Sequence, residues 1–223
     1  MKDEQIDFDE TTLSIDLSDA TQAVKESRFE DALSLLRVLL KENPNHIDIL
    51  YLSAVSTRFL KKFDDSRKHI ENLLLNAPDM GRAYQELGHL NRDIGKEEKA
   101  VMHYRQACEL NPALPSSWNY LHQYFQKNEN KPAADHALEQ IKKLQTLPGL
   151  LLFIEQILNE GRLGLAEKKC RAFLKENPTH TYAMSLLAEI ANRFGYFDDA
   201  EFLLQKAVEF KPQDGDLRLK YAS

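Results

Sequence analysis

The chain has 223 residues, of which 43% are hydrophobic and 29% are charged, and its formal net charge is −6. This composition does not fit a disordered chain, and the acidic balance argues against a nucleic-acid or anionic-membrane binder, because such proteins usually carry a basic excess. No run of about 18 apolar residues occurs, so we predict no transmembrane helix. The two cysteines are too few for a disulfide framework, and we expect reduced thiols and a cytoplasmic location.

The N-terminal residues 1–12 are acidic, which predicts a flexible, solvated lead-in. A secretory signal needs a basic start and an apolar stretch, so we do not interpret this segment as one. The repeated part of the chain is expected to begin at Leu13.

An internal repeat is evident from the spacing of the prolines. Pro44, Pro78 and Pro112 are each 34 residues apart, and Pro178 and Pro212 are separated by the same interval. With each proline at position 32 of a 34-residue repeat, positions 20 and 24 also align. The small residues at position 20 are Ala32, Ser66, Ala100, Ala134, Ala166 and Ala200. The large residues at position 24 are Leu36, Ile70, Tyr104, Leu138, Cys170 and Leu204.

The third repeat illustrates the local structure that this pattern predicts. Apolar residues at helical spacing indicate a first helix over Arg82–Ile94 and a second over Glu97–Leu110. Gly95 supplies the turn because glycine tolerates a left-handed backbone, and Asn111-Pro112 ends the second helix because proline cannot continue the hydrogen-bond ladder. We expect the large aromatic residues of the repeats to lie in the core, namely Phe63, Tyr84, Trp118 and Phe197.

The pattern resembles the tetratricopeptide repeat, which has an aromatic near position 4, Leu-Gly at positions 7 and 8, Ala at 20 and Pro at 32. Six repeats in near-constant phase run from Leu13 to Asp214. The matching residues of the third repeat are Tyr84, Leu87, Gly88, Ala100 and Pro112. The resemblance implies an all-α, right-handed superhelical solenoid of about six helix–turn–helix repeats that binds other proteins and has no active site of its own.

The fourth repeat departs from the pattern. It runs from Pro115 to Thr146, two residues short of the period, and the segment 146–149 resets the phase. Pro132 is tolerated as an early residue of its second helix. We divide the array into repeats 1–4 over residues 13–146 and repeats 5 and 6 over 147–214. At the phase reset, either the twist of the superhelix changes or a four-repeat block meets a two-repeat block. The alternative is that the solenoid continues with only a small offset. Residues 215–223 are predicted to begin a further or capping helix that is cut short.

No catalytic motif is present in the sequence. A glycine-rich phosphate loop, His-Glu-x-x-His, Cys-x-x-Cys and Gly-x-Ser-x-Gly are all missing. His103 and Cys108 lie five residues apart on one predicted helix, which is poor spacing for a shared metal, and Cys170 occupies a core position. We therefore expect no catalytic residue, no metal and no cofactor.

The family resemblance also implies a partner-binding surface. In this family the first helices line a concave groove, and contacts come from positions 2, 5, 9, 12 and 13 of each repeat. The residues predicted to bind a partner are Tyr51, Val55, Arg58, Phe59, Arg82, Gln85, His89, Arg92, Asn119, Gln123, Lys127, Tyr182, Glu189 and Arg193.

The predicted groove changes character along the chain. Its N-terminal end is apolar, and its middle is mildly basic through Arg58, Arg82, Arg92 and Lys127. An extended peptide with an apolar anchor and an acidic portion would match this surface. The alternatives are that these residues are ordinary solvated faces, or that they contact a further domain of the same polypeptide.

The last two repeats have a second, more specific resemblance. The phase break, the short repeat with Gly-Arg-Leu and Ala-Glu, and the Ala-Glu-rich repeat after it are similar to the N-terminal arms of bacterial repeat-containing sulfotransferases. That resemblance implies a downstream catalytic domain, none of whose phosphate-binding residues lie in this chain. Three functions follow: a protein-interaction scaffold, a recruiting arm of a transferase, or a self-associating adaptor. We expect a monomer or a weak homodimer that binds a protein or peptide.

Overall fold

The computed structural model describes residues 17–222, and the predicted lead-in at 1–12 lies outside the described residues. Within 17–222 the chain forms thirteen α-helices and no strand, which confirms the prediction of an all-α repeat solenoid. The helices are α1 (17–25), α2 (Phe29–Glu42), α3 (Ile47–Phe59), α4 (Phe63–Asn76), α5 (Gly81–Asp93), α6 (Glu97–Leu110), α7 (Pro115–Lys127), α8 (Lys131–Gln145), α9 (Gly149–Asn159), α10 (Leu163–Glu176), α11 (Thr181–Phe194), α12 (Phe197–Phe210) and α13 (Gly215–Ala222). Odd-numbered helices are first helices of a repeat, and even-numbered helices are second helices.

Each turn between a first and a second helix contains one residue with a left-handed backbone. These residues are Ser27, Lys61, Gly95, Glu129, Gly161 and Gly195. They are spaced 34 residues apart, except for an interval of 32 across the short fourth repeat. Gly95 is the turn residue predicted from the sequence, and the predicted helices of the third repeat are each within one residue of the observed ones. The period found in the prolines is therefore also the period of the backbone.

Two turns provide a matched test of backbone strain. Lys61 has a φ of 59° and Gly195 a φ of 82°, and a side chain at Gly195 would meet nothing within 4 Å. We expect Lys61→Gly to raise the free energy of unfolding by about 0.5–1 kcal/mol and Gly195→Ala to lower it by about 1 kcal/mol, since the left-handed region disfavours a Cβ atom. Urea unfolding followed by circular dichroism measures both. Equal stability of both variants and the wild type would contradict this account of the turns.

The small residues at position 20 pack where the two helices of a repeat cross. All six are buried, with exposed fractions of 0–4%. Position 24 is also buried in five repeats, and Leu138 of the fourth is half-buried.

In the irregular fourth repeat, His122 occupies position 8, and its Nδ1 lies 2.9 Å from the carbonyl oxygen of Ala134. Pro132 lies in the first turn of α8, as predicted. Asn130 is the N-cap of this helix, and its side chain accepts a hydrogen bond from the N–H of Ala133.

The described residues form two compact units. The first comprises residues 17–110 with Gln123–Glu129, and the second comprises Asn111–His122 with residues 130–222. In the first unit the core includes Leu36 and Ile49 between α2 and α3. In the second unit it includes Leu151 and Cys170 between α9 and α10. The compact units divide the chain near residue 110 and around α7, whereas the phase reset lies at 146–149, so the division into repeats 1–4 and 5–6 stays a prediction.

The expectation for the large aromatic residues is correct for three of them and wrong for the fourth. Phe63 and Tyr84 pack against buried residues of the first unit, and Trp118 is half-buried. Phe197, the first residue of α12, is 68% exposed. Sequence position alone does not distinguish Phe197 from Phe63, which begins α4 in the same way.

Candidate functional site

The described residues contain no cluster of side chains that could hold a metal ion. Among residues 17–222 no three His, Cys, Asp or Glu side chains come together to hold a metal ion. Cys108 and Cys170 are both buried free cysteines, and burial raises the pKa of Cys170 to about 11. The Cys170 thiol also donates to the carbonyl oxygen of Ala183 at 3.2 Å. None of the helices in this range is both long and apolar enough to cross a membrane.

In the first compact unit, the predicted surface lies on α3, α5 and the end of α7. The guanidinium carbon of Arg82 lies 4.8 Å from the centre of the Tyr51 ring, so these two predicted residues are neighbours on adjacent repeats. Gln85 is half-buried on α5, and Gln123 is exposed. Val55 is only 8% exposed, so it belongs to the core and not to the surface.

Arg58 is an internal residue rather than a surface cation. It is 6% exposed and its Nε donates to a carboxylate oxygen of Glu86, which is 2% exposed. Its Nη1 donates to Oδ2 of Asp93 at 2.7 Å. Burial raises the pKa of Glu86, and the adjacent guanidinium opposes that shift. This buried ion pair joins repeats 2 and 3.

The remaining cations of the predicted basic stretch also have intramolecular partners. Arg92 pairs with Asp93 at 2.8 Å, and Lys127 pairs with Glu97 at 3.0 Å. Partial burial raises the pKa of Asp93, but hydrogen bonds from Arg92 and Arg58 hold it below its usual value. Because these positive charges are matched within the chain, the first unit offers less attraction to an acidic peptide than the sequence predicts.

Phe59 is exposed at its edge and covered on its faces. Its ring stacks on Phe29 with a centroid distance of 4.3 Å and an angle of 3° between the planes. The guanidinium carbon of Arg58 lies 4.3 Å from the same ring, and it must occupy the other face because both groups cannot share one. Although Phe59 is 52% exposed, it therefore has no free face on which a ligand ring could stack.

His89 is a half-buried residue of the first unit that is hydrogen-bonded to Tyr104. Its Nδ1 lies 2.6 Å from the hydroxyl of Tyr104. Burial, together with the nearby charges of Arg58 and Arg92, lowers the pKa of His89 to about 3. The imidazole is therefore neutral at physiological pH, and it shares a hydrogen bond with the tyrosine hydroxyl whose direction depends on the imidazole tautomer.

The lowered pKa of His89 predicts a loss of stability in mild acid. Above pH 6.5 the ring is neutral in both the folded and the unfolded state, so it contributes no pH dependence. Below pH 6.5 the unfolded chain takes up a proton that the folded chain does not, until the pH approaches about 3. We expect this group to cost about 1–2 kcal/mol of unfolding free energy between pH 6.5 and 4.5.

Urea unfolding at a series of pH values measures this effect. His89→Gln keeps an acceptor for Tyr104 but cannot be protonated, and it should flatten the pH dependence. The exposed His136→Gln is the matched control and should retain the wild-type slope. Identical slopes for His89→Gln and the wild type would contradict the assignment.

The second compact unit contains a cleft of about 640 Å³, which we call the first-helix cleft. It is lined by residues of α9, α11 and α13 and by the segments that precede them. Its lining residues are Lys143, Thr146, Leu147, Pro148, Glu155, His180, Thr181, Tyr182, Ser185, Lys211, Asp214, Asp216, Leu217, Leu219 and Lys220. Among the predicted contact residues, Tyr182 lies in this cleft.

The polar groups of the first-helix cleft are pre-arranged. The hydroxyl of Tyr182 donates to Oε2 of Glu155 at 2.8 Å, and Nζ of Lys220 donates to the hydroxyl of Ser185 at 3.0 Å. Burial and the neighbouring carboxylate raise the pKa of Tyr182, so its phenol stays protonated. The side chain of Asp214 accepts from the N–H of Leu217 and so caps α13.

The other predicted residues of the second unit lie elsewhere. Arg193 pairs with Glu189 at 2.6 Å and donates to the carbonyl oxygen of Leu158 at 2.9 Å, which ties the end of α11 to α9. Asn119 donates to the carbonyl oxygen of Pro115 within α7. None of these three predicted residues lines the first-helix cleft.

Sequence reasoning missed the lysines of the first-helix cleft. Lys143 is near the end of α8, Lys211 follows α12, and Lys220 lies in α13. The family's contact positions lie on the first helices of the six predicted repeats, so they include neither Lys143 and Lys211 at the ends of second helices nor Lys220, which follows the sixth repeat. The available signal was the recurrence of lysine at helix C-termini, where cations are favoured by the helix dipole.

The comparisons with known proteins agree with this architecture. Residues 81–114 match the family model of the tetratricopeptide repeat. The solved structure of pilF from Pseudomonas aeruginosa is similar, with a TM-score of 0.54, 15% identity and coverage of 96% of both chains. TTC0263, a thermophilic TPR protein of Thermus thermophilus, has a TM-score of 0.52 and 21% identity, covering 94% of this chain and 97% of its own. No curated protein sequence matches the chain. One segment of the chain, residues 81–114, therefore matches the tetratricopeptide repeat, and the chain shares the all-helical repeat fold of these solved structures.

Proposed function

We propose that this protein is an interaction scaffold without catalytic activity, and that it binds an extended peptide segment of a partner in the first-helix cleft. Tetratricopeptide arrays present continuous surfaces made by stacked repeats, and such surfaces suit extended ligands. The observation that carries the proposal is the first-helix cleft itself, which has a volume of about 640 Å³ and polar side chains already fixed in position.

The chemistry of the cleft favours a peptide with an acidic portion. Lys143 and Lys211 are exposed at its rim, and neither forms an ion pair within residues 17–222. Two of the lining carboxylates already have partners, because Glu155 accepts from Tyr182 and Asp214 caps α13. Lysine ammonium groups therefore remain available for carboxylates or main-chain carbonyl oxygens of a ligand. Apolar side chains such as that of Leu217 supply the non-polar wall.

Selection from a random 12-residue peptide library displayed on phage tests the proposal. The cleft variant Tyr182→Ala/Lys220→Glu removes the phenol of Tyr182 and reverses the charge at position 220. The matched control is Tyr221→Ala/Lys142→Glu, which makes the same chemical changes at exposed positions outside the cleft. We expect peptides selected on the wild type to be enriched in Asp and Glu and to bind the cleft variant at least about tenfold more weakly, a typical effect of removing a contact residue.

Two results would contradict the proposal. The first is a selection that enriches no peptide on the wild type. The second is a set of peptides whose affinity is the same for the wild type, the cleft variant and the control.

A further inference from the structure

Exposed aromatic side chains are concentrated around the turn between α11 and α12 and in the first half of α12. Phe194, Tyr196, Phe197 and Phe202 are 39%, 59%, 68% and 58% exposed. Three of them rim a pocket of about 200 Å³ between α10 and α12, which we call the aromatic pocket. Its lining residues are Glu167, Arg171, Leu187, Ile190, Ala191, Phe194, Tyr196, Asp199, Phe202 and Leu203. Contiguous exposed apolar surface of this kind marks a contact site more often than scattered single residues do.

The aromatic pocket and the first-helix cleft use different sides of α11. The cleft uses Tyr182 and Ser185, whereas the pocket uses Leu187, Ile190 and Phe194. At about 100° per residue these two sets point in directions roughly 140° apart. A ligand bound in the cleft therefore does not cover the pocket, and the pocket needs an occupant of its own.

The aromatic pocket has the form of a receptor for one apolar side chain. Its floor is aliphatic, with Leu187 5% and Ile190 0% exposed. Its rim is aromatic, and the rings of Phe194 and Tyr196 stack with their centroids 5.8 Å apart. A buried aliphatic floor with exposed aromatic walls favours an aliphatic or aromatic anchor residue, which is the usual centre of a protein interface.

Among the lining residues of the aromatic pocket, the charge that is not neutralised by an ion pair is acidic. Arg171 and Glu167 neutralise each other through an ion pair of 2.8 Å. Asp199 lines the pocket and forms no ion pair within the described residues, and the neighbouring Asp198 and Glu201 are exposed. A ligand that brings a positive charge next to its anchor would meet these carboxylates favourably. A second copy of this chain is a poorer match, because it would bring the same acidic surface against them.

We propose that the aromatic pocket is a second docking site, and that it binds a segment of a partner protein in which an aliphatic or aromatic anchor lies beside lysine or arginine. This site is separate from the peptide cleft in position and opposite to it in charge preference. The chain would then hold two different segments, an acidic one on one side of α11 and a basic one on the other.

The test is a peptide selection performed on the cleft variant Tyr182→Ala/Lys220→Glu, in which the first-helix cleft is disabled. A random 12-residue phage library is the probe. We expect the enriched peptides to share a Leu, Ile, Phe or Trp with Lys or Arg within a few positions. Phe202→Ala and Asp199→Lys, each added to the cleft variant, should weaken their binding at least about tenfold. Asp64→Lys is the control, because it reverses the charge of an acidic residue in the first turn of α4, as Asp199→Lys does in the first turn of α12.

Each other outcome would overturn the proposal. These outcomes are the absence of enriched peptides, enriched peptides without basic residues, or equal weakening by Phe202→Ala and Asp64→Lys. Sedimentation of the wild type provides a further check, because a dimer that Phe202→Ala converts to a monomer would mean that a second copy occupies the pocket. Phe202 is 58% exposed, so its truncation leaves the core intact, and far-ultraviolet circular dichroism verifies the fold of every variant.

Discussion

Replacing Arg58 with methionine is expected to lower the free energy of unfolding by about 3–5 kcal/mol. Arg58 and Glu86 are 6% and 2% exposed, and they are hydrogen-bonded to each other. Without the guanidinium, the Glu86 carboxylate would remain buried with no matching charge, and burying an unpaired charge is far more costly than losing a surface ion pair. Urea unfolding at neutral pH, followed by circular dichroism, measures the change.

Two variants separate this explanation from a general effect of removing an arginine. The double variant Arg58→Met/Glu86→Leu removes both charges and should recover most of the lost stability, since an apolar pair can replace a buried ion pair. Arg171→Met breaks the pair with Glu167, in which the arginine side chain is 62% exposed, and it should cost no more than about 1 kcal/mol. If the double variant were as unstable as Arg58→Met, the unpaired carboxylate would not be the cause.

Substituting Gly88 with alanine is expected to destabilise the fold by about 1–3 kcal/mol, although alanine is the better helix former. A Cβ atom at this position would lie 2.7 Å from two carbons of the Tyr104 ring. The ring cannot move aside easily, because it is fully buried and its hydroxyl is held by His89 at 2.6 Å. The overlap therefore outweighs the gain in helix propensity of about 1 kcal/mol.

Gly164→Ala is the matched control for this prediction. Gly164 lies in α10, and a Cβ atom there would meet nothing within 4 Å, so only the propensity gain remains. Thermal and urea unfolding should show an unchanged or slightly more stable protein. A Gly88→Ala variant as stable as Gly164→Ala would mean that α5 and α6 can separate without cost.

The features predicted correctly from the sequence are those fixed by local rules. The position-20 residues, the turn at Gly95 and the helix end before Pro112 depend on side-chain size and backbone geometry within one repeat. The outcome for Arg58 depends on Glu86 and Asp93 in the next repeat, and a repeat pattern does not contain that information. Arg58 was assigned to the groove because position 12 is one of the family's contact positions, and Phe197 was placed in the core as a large aromatic residue of the repeat pattern.

The lysines of the first-helix cleft and the aromatic pocket were not predicted, for a different reason. Lys143, Lys211 and Lys220 come together only through the packing of several helices, and the aromatic pocket depends on three helices of two repeats. The transferase-arm and self-association interpretations stay predictions, since neither the matched repeat nor the shared fold bears on them.

The buried ion pair between repeats 2 and 3 also restricts how this array can be lengthened. Arg58 is residue 12 of its repeat, and its partners Glu86 and Asp93 are residues 6 and 13 of the next. A tandem duplication of repeat 2 would place Leu52 and Phe59 opposite one copy of Arg58 and leave a buried guanidinium without a carboxylate. A duplication of repeat 3 would instead supply Arg92 at residue 12, facing the duplicated carboxylates. Repeats of similar sequence are thus not interchangeable modules here, and we expect growth of the array to be tolerated after repeat 3 but not after repeat 2.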